Sequence, residues 1–129
     1  EQKKYTEALD FYKKSLAIYK QHLPSNHPDI AGSHNNIGNV YSDLNKYDRA
    51  MEHYQQSLQI RLKSLPADHP DIGKSYECIA LIYEQEGEWK EALELFKKAL
   101  NIYQHSFSSQ HPDILTAKAG IERVSANLK

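Results

Sequence analysis

The sequence predicts an all-α fold, an α-solenoid of six helices in antiparallel pairs. Three observations predict it. The tetrapeptide His-Pro-Asp-Ile stands at 27–30, 69–72 and 111–114, a spacing of 42 residues twice over. Apolar residues recur three and four apart between these marks, the period of a helix with one buried face. Prolines fall only in short breaks or at helix starts. Aligning 23–64 with 65–106 matches 14 of 42 positions, which marks an internal duplication.

The elements follow in order. Residues 2–22 carry Tyr5, Ala8, Tyr12, Leu16 and Ile18, the columns that return as Tyr47, Ala50, Tyr54, Leu58 and Ile60 and again as Trp89, Ala92, Phe96, Leu100 and Ile102. This first helix therefore reads as the second member of a truncated pair. Residues 28–44 place Ile30, Ile37, Val40, Tyr41 and Leu44 on one face, and 47–64 add Met51 and Leu62 to their own. Residues 70–86 and 89–106 repeat the pair. Residues 112–128 open a further one, with Ile121 and Val124 in the columns of Ile37 and Val40. The repeats are thus 1–22, 28–64, 70–106 and 112–129, one array over 1–129. The chain opens inside a helical pattern without Met, and so reads as an excerpt of a longer protein.

The breaks have local causes. Asn45 and Gly87 stand where a helix end needs a left-handed backbone. Pro28, Pro70 and Pro112 suit the first turn of a helix, where a missing N–H costs nothing. Asp29, Asp71 and Asp113 follow, favourable against the positive helix end. Small residues predict close helix crossings: Gly38 with Ala80, and Ala8 with Ala50 and Ala92.

Composition excludes several functions. Sixteen Lys and Arg against 17 Asp and Glu, net −1, argue against nucleic acid, which needs a basic face. No apolar run approaches the ~20 residues of a membrane helix. One cysteine, Cys78, excludes an internal disulfide framework and suits a reducing cytoplasm; within its helix it reads as a small buried thiol. His27, His69 and His111 are repeat equivalents held apart by translation and cannot converge on a metal. His22, His34, His53 and His105 show no paired spacing with carboxylates. With no phosphate loop or metal-ligand cluster, neither catalysis nor a cofactor is expected.

These columns resemble the tetratricopeptide repeat family. Its pattern of Leu-Gly, Tyr, Gly-x-Tyr, Ala, aromatic and Ala is met by Ile37-Gly38, Tyr41, Asn45-x-Tyr47, Ala50, Tyr54 and Ser57. It is met again by Ile79-Ala80, Tyr83, Gly87-x-Trp89, Ala92, Phe96 and Ala99. The period of 42 rather than 34 residues, with His-Pro-Asp-Ile at the junction and Asn35-Asn36 before Ile37-Gly38, is similar to the kinesin light chain type. The resemblance implies a right-handed superhelix whose concave face is lined by the first helix of each pair.

It also implies where a ligand would lie. The groove-facing positions are Asn35, Asn36 and Asn39, with Gly32, Ser42 and Asp43; then Lys74, Glu77, Leu81 and Glu84, with Cys78 and Gln85; then Arg123, with Thr116, Ala119, Gly120, Ala126 and Asn127. The amides can donate to and accept from an extended peptide backbone. Lys74 and Arg123 suit acids, Glu77 and Glu84 suit bases, and Leu81 beside the small Gly32, Ala119 and Gly120 suits an apolar anchor. Asn35, Glu77 and Ala119 replace the lysine that a chaperone-tail clamp requires, so that ligand class is not expected.

Residues 1–22 carry +2 (five Lys, three acids) and residues 65–106 carry −4 (four bases, eight acids). Two functions remain. The first is a non-catalytic interaction module, part of a larger scaffold or adaptor, that binds a linear peptide. The alternative is a structural spacer or self-assembling array. For the latter, helix 112–128 would pair head-to-tail with 2–22 of another copy, through faces around Ile121 and Val124 and around Tyr5, Ala8 and Tyr12.

Overall fold

A computed structural model describes residues 2–129. It contains six helices and, among the described residues, no strand: α1 Gln2–His22, α2 Pro28–Asp43, α3 Tyr47–Ser64, α4 Pro70–Gln85, α5 Trp89–Ser106 and α6 Pro112–Ala126. The all-α fold class and all six elements agree with the sequence reading. The first members of each pair end one or two residues sooner than the spacing suggests, because Leu44, Glu86 and Asn127 act as C-caps.

The junctions show what the His-Pro-Asp-Ile element does. Nδ1 of His27, His69 and His111 each accepts a hydrogen bond from the backbone N–H two residues on, at 3.0 Å in all three. Histidine is therefore the N-cap, proline the first helical residue, and Asp29, Asp71 and Asp113 the first-turn acids. The shorter breaks close as Schellman turns. Asn45 and Gly87 take φ of 61° and 76°. Lys46 N–H reaches Tyr41 O at 2.8 Å, and Glu88 N–H reaches Tyr83 O at 2.9 Å.

The contacts divide the chain into two compact units, Glu1–Ser64 with α1–α3 and Leu65–Lys129 with α4–α6. In the first, Ile30, Ala31, Ile37, Val40 and Tyr41 of α2 are buried, as are Ala50 and Tyr54 of α3 and Leu16 of α1. A Cβ at Gly38 would lie 2.7 Å from the Tyr54 ring, so α2 and α3 cross there only because that side chain is a hydrogen. Ala8 is half-buried, whereas its equivalents Ala50 and Ala92 are fully buried.

The second unit has two apolar clusters. One joins Ala80, Ala92, Phe96 and Val124, with Ile121 packed against it. The other joins Ala99, Tyr103, Ile114 and Ala117. This corrects the sequence reading of α6. Val124 is not on an open face but sealed in the core beside Phe96. Gly120 leaves no room for a ligand, because a Cβ there would meet Phe96 at 2.6 Å. Cys78 is buried, as expected.

Candidate peptide-binding face

The proposed ligand residues sort by burial into two sets. In the first unit, Asn36 and Asn39 are exposed on α2, but Asn35 is only 8% exposed and its Oδ1 finds no partner. Asn39 is already engaged, since Oδ1 accepts from the Tyr54 hydroxyl. Helical spacing puts 35 and 39 on one side of α2; only packing reveals that 35 lies beneath the surface.

In the second unit, Leu81 is 36% exposed on α4, and charged residues lie to either side along the helix. Glu77 is buried and accepts a hydrogen bond from the Tyr103 hydroxyl at 2.7 Å. Lys74 Nζ lies 3.7 Å from Glu77 and 3.5 Å from Asp113 at the start of α6. Partial burial disfavours the Lys74 cation, but Glu77 and Asp113 outweigh it and raise its pKa. Burial, then the Glu77 charge and hydrogen bond, push the Tyr103 phenol far above its ordinary value. Further along, Arg123 of α6 grips Glu84 of α4 through two bonds, 2.7 and 2.9 Å, which raises its pKa.

The two bases and two acids expected to meet a ligand therefore meet each other and Asp113. Glu77 serves the α4–α5 contact rather than the surface. Leu81 is the large apolar residue left open among those offered to a ligand here, between two ion-pair groups that tie neighbouring first helices together, and Gln85, Thr116, Ala119, Ala126 and Asn127 are exposed too.

A further pairing escaped the sequence reading. His34 of α2 and His53 of α3 face each other with Nδ1 atoms 3.0 Å apart, and Tyr41 stacks on His53 with ring centres 5.7 Å apart. Burial foremost, then the nearby His53 and Lys20, bring the pKa of His34 down to about 4. Burial also lowers that of His53. Nineteen residues separate the two, a distance no motif would flag.

Among the described residues, no helix is long and apolar enough to cross a membrane. No curated protein matches the chain. Solved structures do. The nearly identical TPR-like repeats of a Podosopora anserina protein described as a kinesin light chain share 26% identity at a TM-score of 0.85, over 95% of this chain and 58% of theirs. BtubC (BKLC) from P. vanneervenii shares 18% at 0.76, over 95% and 56%. The apo form of RapI shares 20% at 0.84, over 98% and 44%. This chain thus spans about half the length of these structures, and the last two likenesses concern the fold alone. The tetratricopeptide repeat model matches residues 1–63 and 71–124. The buried Gly38, Ala50, Ala80 and Ala92 and the aromatic Tyr54 and Phe96 are the columns of that repeat, and the chain belongs to the tetratricopeptide repeat family.

Proposed function

We propose that this chain is a non-catalytic interaction module that holds a linear peptide along the exposed faces of its first helices, within a larger cytoplasmic scaffold or adaptor. The six helices act as one array in this reading. Members of the family generally serve protein–protein interaction. The observation that carries the reading is Leu81, exposed on α4 with the Lys74–Glu77–Asp113 and Glu84–Arg123 groups along the same face. In the second unit an apolar anchor of a ligand would cover Leu81, and in the first unit Asn36 and Asn39 would offer amides to a peptide backbone. Because the charges are mutually paired, the ligand gains affinity there only by displacing an existing partner. Apolar and amide contacts therefore dominate recognition.

The test is selection from a random peptide library on the parent and on Asn36→Ala/Leu81→Ser. Both residues are exposed, so the fold survives the change. A consensus enriched on the parent and lost on the variant supports the reading. Equal enrichment on both refutes it.

Head-to-tail self-association is the second reading, favoured by Phe11 and Ile18 of α1, 65% and 56% exposed. Their equivalents are His53 and Ile60, both half-buried, and Leu95 and Ile102, half-buried and buried. The obstacle is Glu122 of α6, which occupies the column of Gly38 and Ala80, where space admits little more than hydrogen or methyl. Sedimentation equilibrium tests it. Association strengthened by Glu122→Ala and abolished by Phe11→Ser/Ile18→Ser supports it, and a monomer throughout removes it.

A further inference from the structure

We propose that the first unit carries a binding site for a small organic anion. Its ligand is a carboxylate or phosphate on a short apolar body, held between the end of α1, the loop after it, and the facing sides of α2 and α3. This site is separate from the peptide-binding reading and does not depend on it. The cleft encloses about 360 Å³ between Lys20, Ser25, Ile30, His34, Gln56 and Ile60. A second hollow of about 320 Å³ continues it past Ser25 and Ile60 to Asn26, Gln59 and Lys63. Each is at the lower end of the range for small-molecule sites, roughly 300–1,000 Å³.

The charge of the lining is one-sided. Lys20 and Lys63 contribute cations, and no carboxylate lines either hollow. Among the described residues neither lysine has an ion-pair partner, whereas Lys74 and Arg123 of the second unit are both engaged. An anion is the ligand that suits adjoining hollows each lined by an unpaired cation.

The buried wall points the same way. His34 is 3% exposed, yet its ring forms part of the lining. Its Nδ1 is taken by His53 at 3.0 Å, and Nε2 has no protein partner among the described residues. Among the described residues the sealed side-chain atoms without a hydrogen bond are Asn35 Oδ1 and Ser57 Oγ, so Nε2 keeps access to solvent and is free to bond a ligand. When His53 donates from its Nδ1, His34 accepts there and carries its own proton on Nε2, the nitrogen left to serve a ligand in the cleft. A bound anion selects that tautomer. Ser25, Gln56 and Gln59 supply further donors, and Ile30 and Ile60 supply the apolar surface for the ligand's body. A cationic ligand would face two lysines, and an apolar one would leave His34 unbonded.

Titration of the chain with butyl phosphate and with butanoate at pH 7, followed by amide chemical shifts, tests the site, with inorganic phosphate as comparator. We expect saturable shifts confined to the surroundings of Lys20, Ser25, His34, Gln56 and Ile60. At least one butyl probe should bind more tightly than inorganic phosphate, and which one does identifies the anionic group. Lys20→Gln, at an exposed position, should weaken binding about ten-fold, as loss of one charge-assisted hydrogen bond does. His34→Gln should do the same, and Lys90→Gln on α5 should not. Shifts scattered over lysines generally, or an unchanged affinity in Lys20→Gln, would overturn the proposal. Since Lys20 is exposed, that arm stands even where His34→Gln fails to fold.

Discussion

The two units share their apolar columns and differ in their polar ones, and the polar differences come in pairs. Tyr54 bonds Asn39 in the first unit; the same columns in the second hold Phe96 and Leu81, both apolar. His34 faces His53; the equivalents are Tyr76 and Leu95. Glu77 accepts from Tyr103; the equivalents are Asn35 and Arg61, all four buried. A buried polar group without its partner costs more than two apolar groups do. Exchange of both members serves the Tyr54–Asn39 and His34–His53 crossings, whereas Asn35 keeps a buried Oδ1 without a partner. The His pair, the open cleft beside it and the free lysines belong to the first unit. The paired charges and the exposed leucine belong to the second.

The largest expected effect breaks what the units share. Phe96→Ala removes a ring packed against Ala80, Ala92 and Val124 and over Gly120. It should cost about 3–5 kcal/mol by urea unfolding, as such truncations do.

Next in size is an effect confined to the first unit. His34 and His53 have lowered pKa values in the fold. At pH below 6.5 the unfolded chain therefore binds more protons than the folded one. The stability owed to the neutral pair is full above the unfolded value and is lost as pH falls through it toward about 4. Lysines 13 and 20 of α1 oppose protonation, while Glu52 favours it at His53. Between pH 7 and 4.5 the loss should amount to roughly 2–3 kcal/mol. Conversion of the pair to the second unit's residues, His34→Tyr/His53→Leu, should flatten the profile of thermal midpoint against pH over this range. An unchanged slope would place the titration elsewhere.

A smaller effect tests whether the columns are coupled. Tyr54→Phe should cost about 1 kcal/mol, the net worth of one hydrogen bond. Addition of Asn39→Leu, which copies Phe96 with Leu81, should restore much of it. Strict additivity in the double-mutant cycle would refute the coupling. The smallest change is Arg123→Ala. The Arg123–Glu84 pair is half open to solvent on the arginine side, so its loss should be about 0.2–1 kcal/mol and should shrink with added salt.

Much of this architecture was legible in the sequence, and the remainder failed for a common reason. Periodicity located every helix, and the junction residues located their ends. The open face assigned to Val124 is instead sealed, and Asn35 and Glu77, which the family resemblance offered to a ligand, are buried. Spacing says that a residue shares a side of its helix with others. It does not say which neighbouring helix covers that side, or how deeply.

The sequence by itself determined where each helix begins and ends, including the left-handed turns at Asn45 and Gly87, because these follow from backbone geometry within a few residues, and its 42-residue repeat marked the small residues of each pair. Tertiary structure alone decided that Arg123 would hold Glu84 across 39 residues, that His34 would meet His53, and that Lys20 and Lys63 would line two hollows joined at Ser25 and Ile60. Those meetings depend on the rotation and crossing of packed helices, and sequence spacing carries no measure of either.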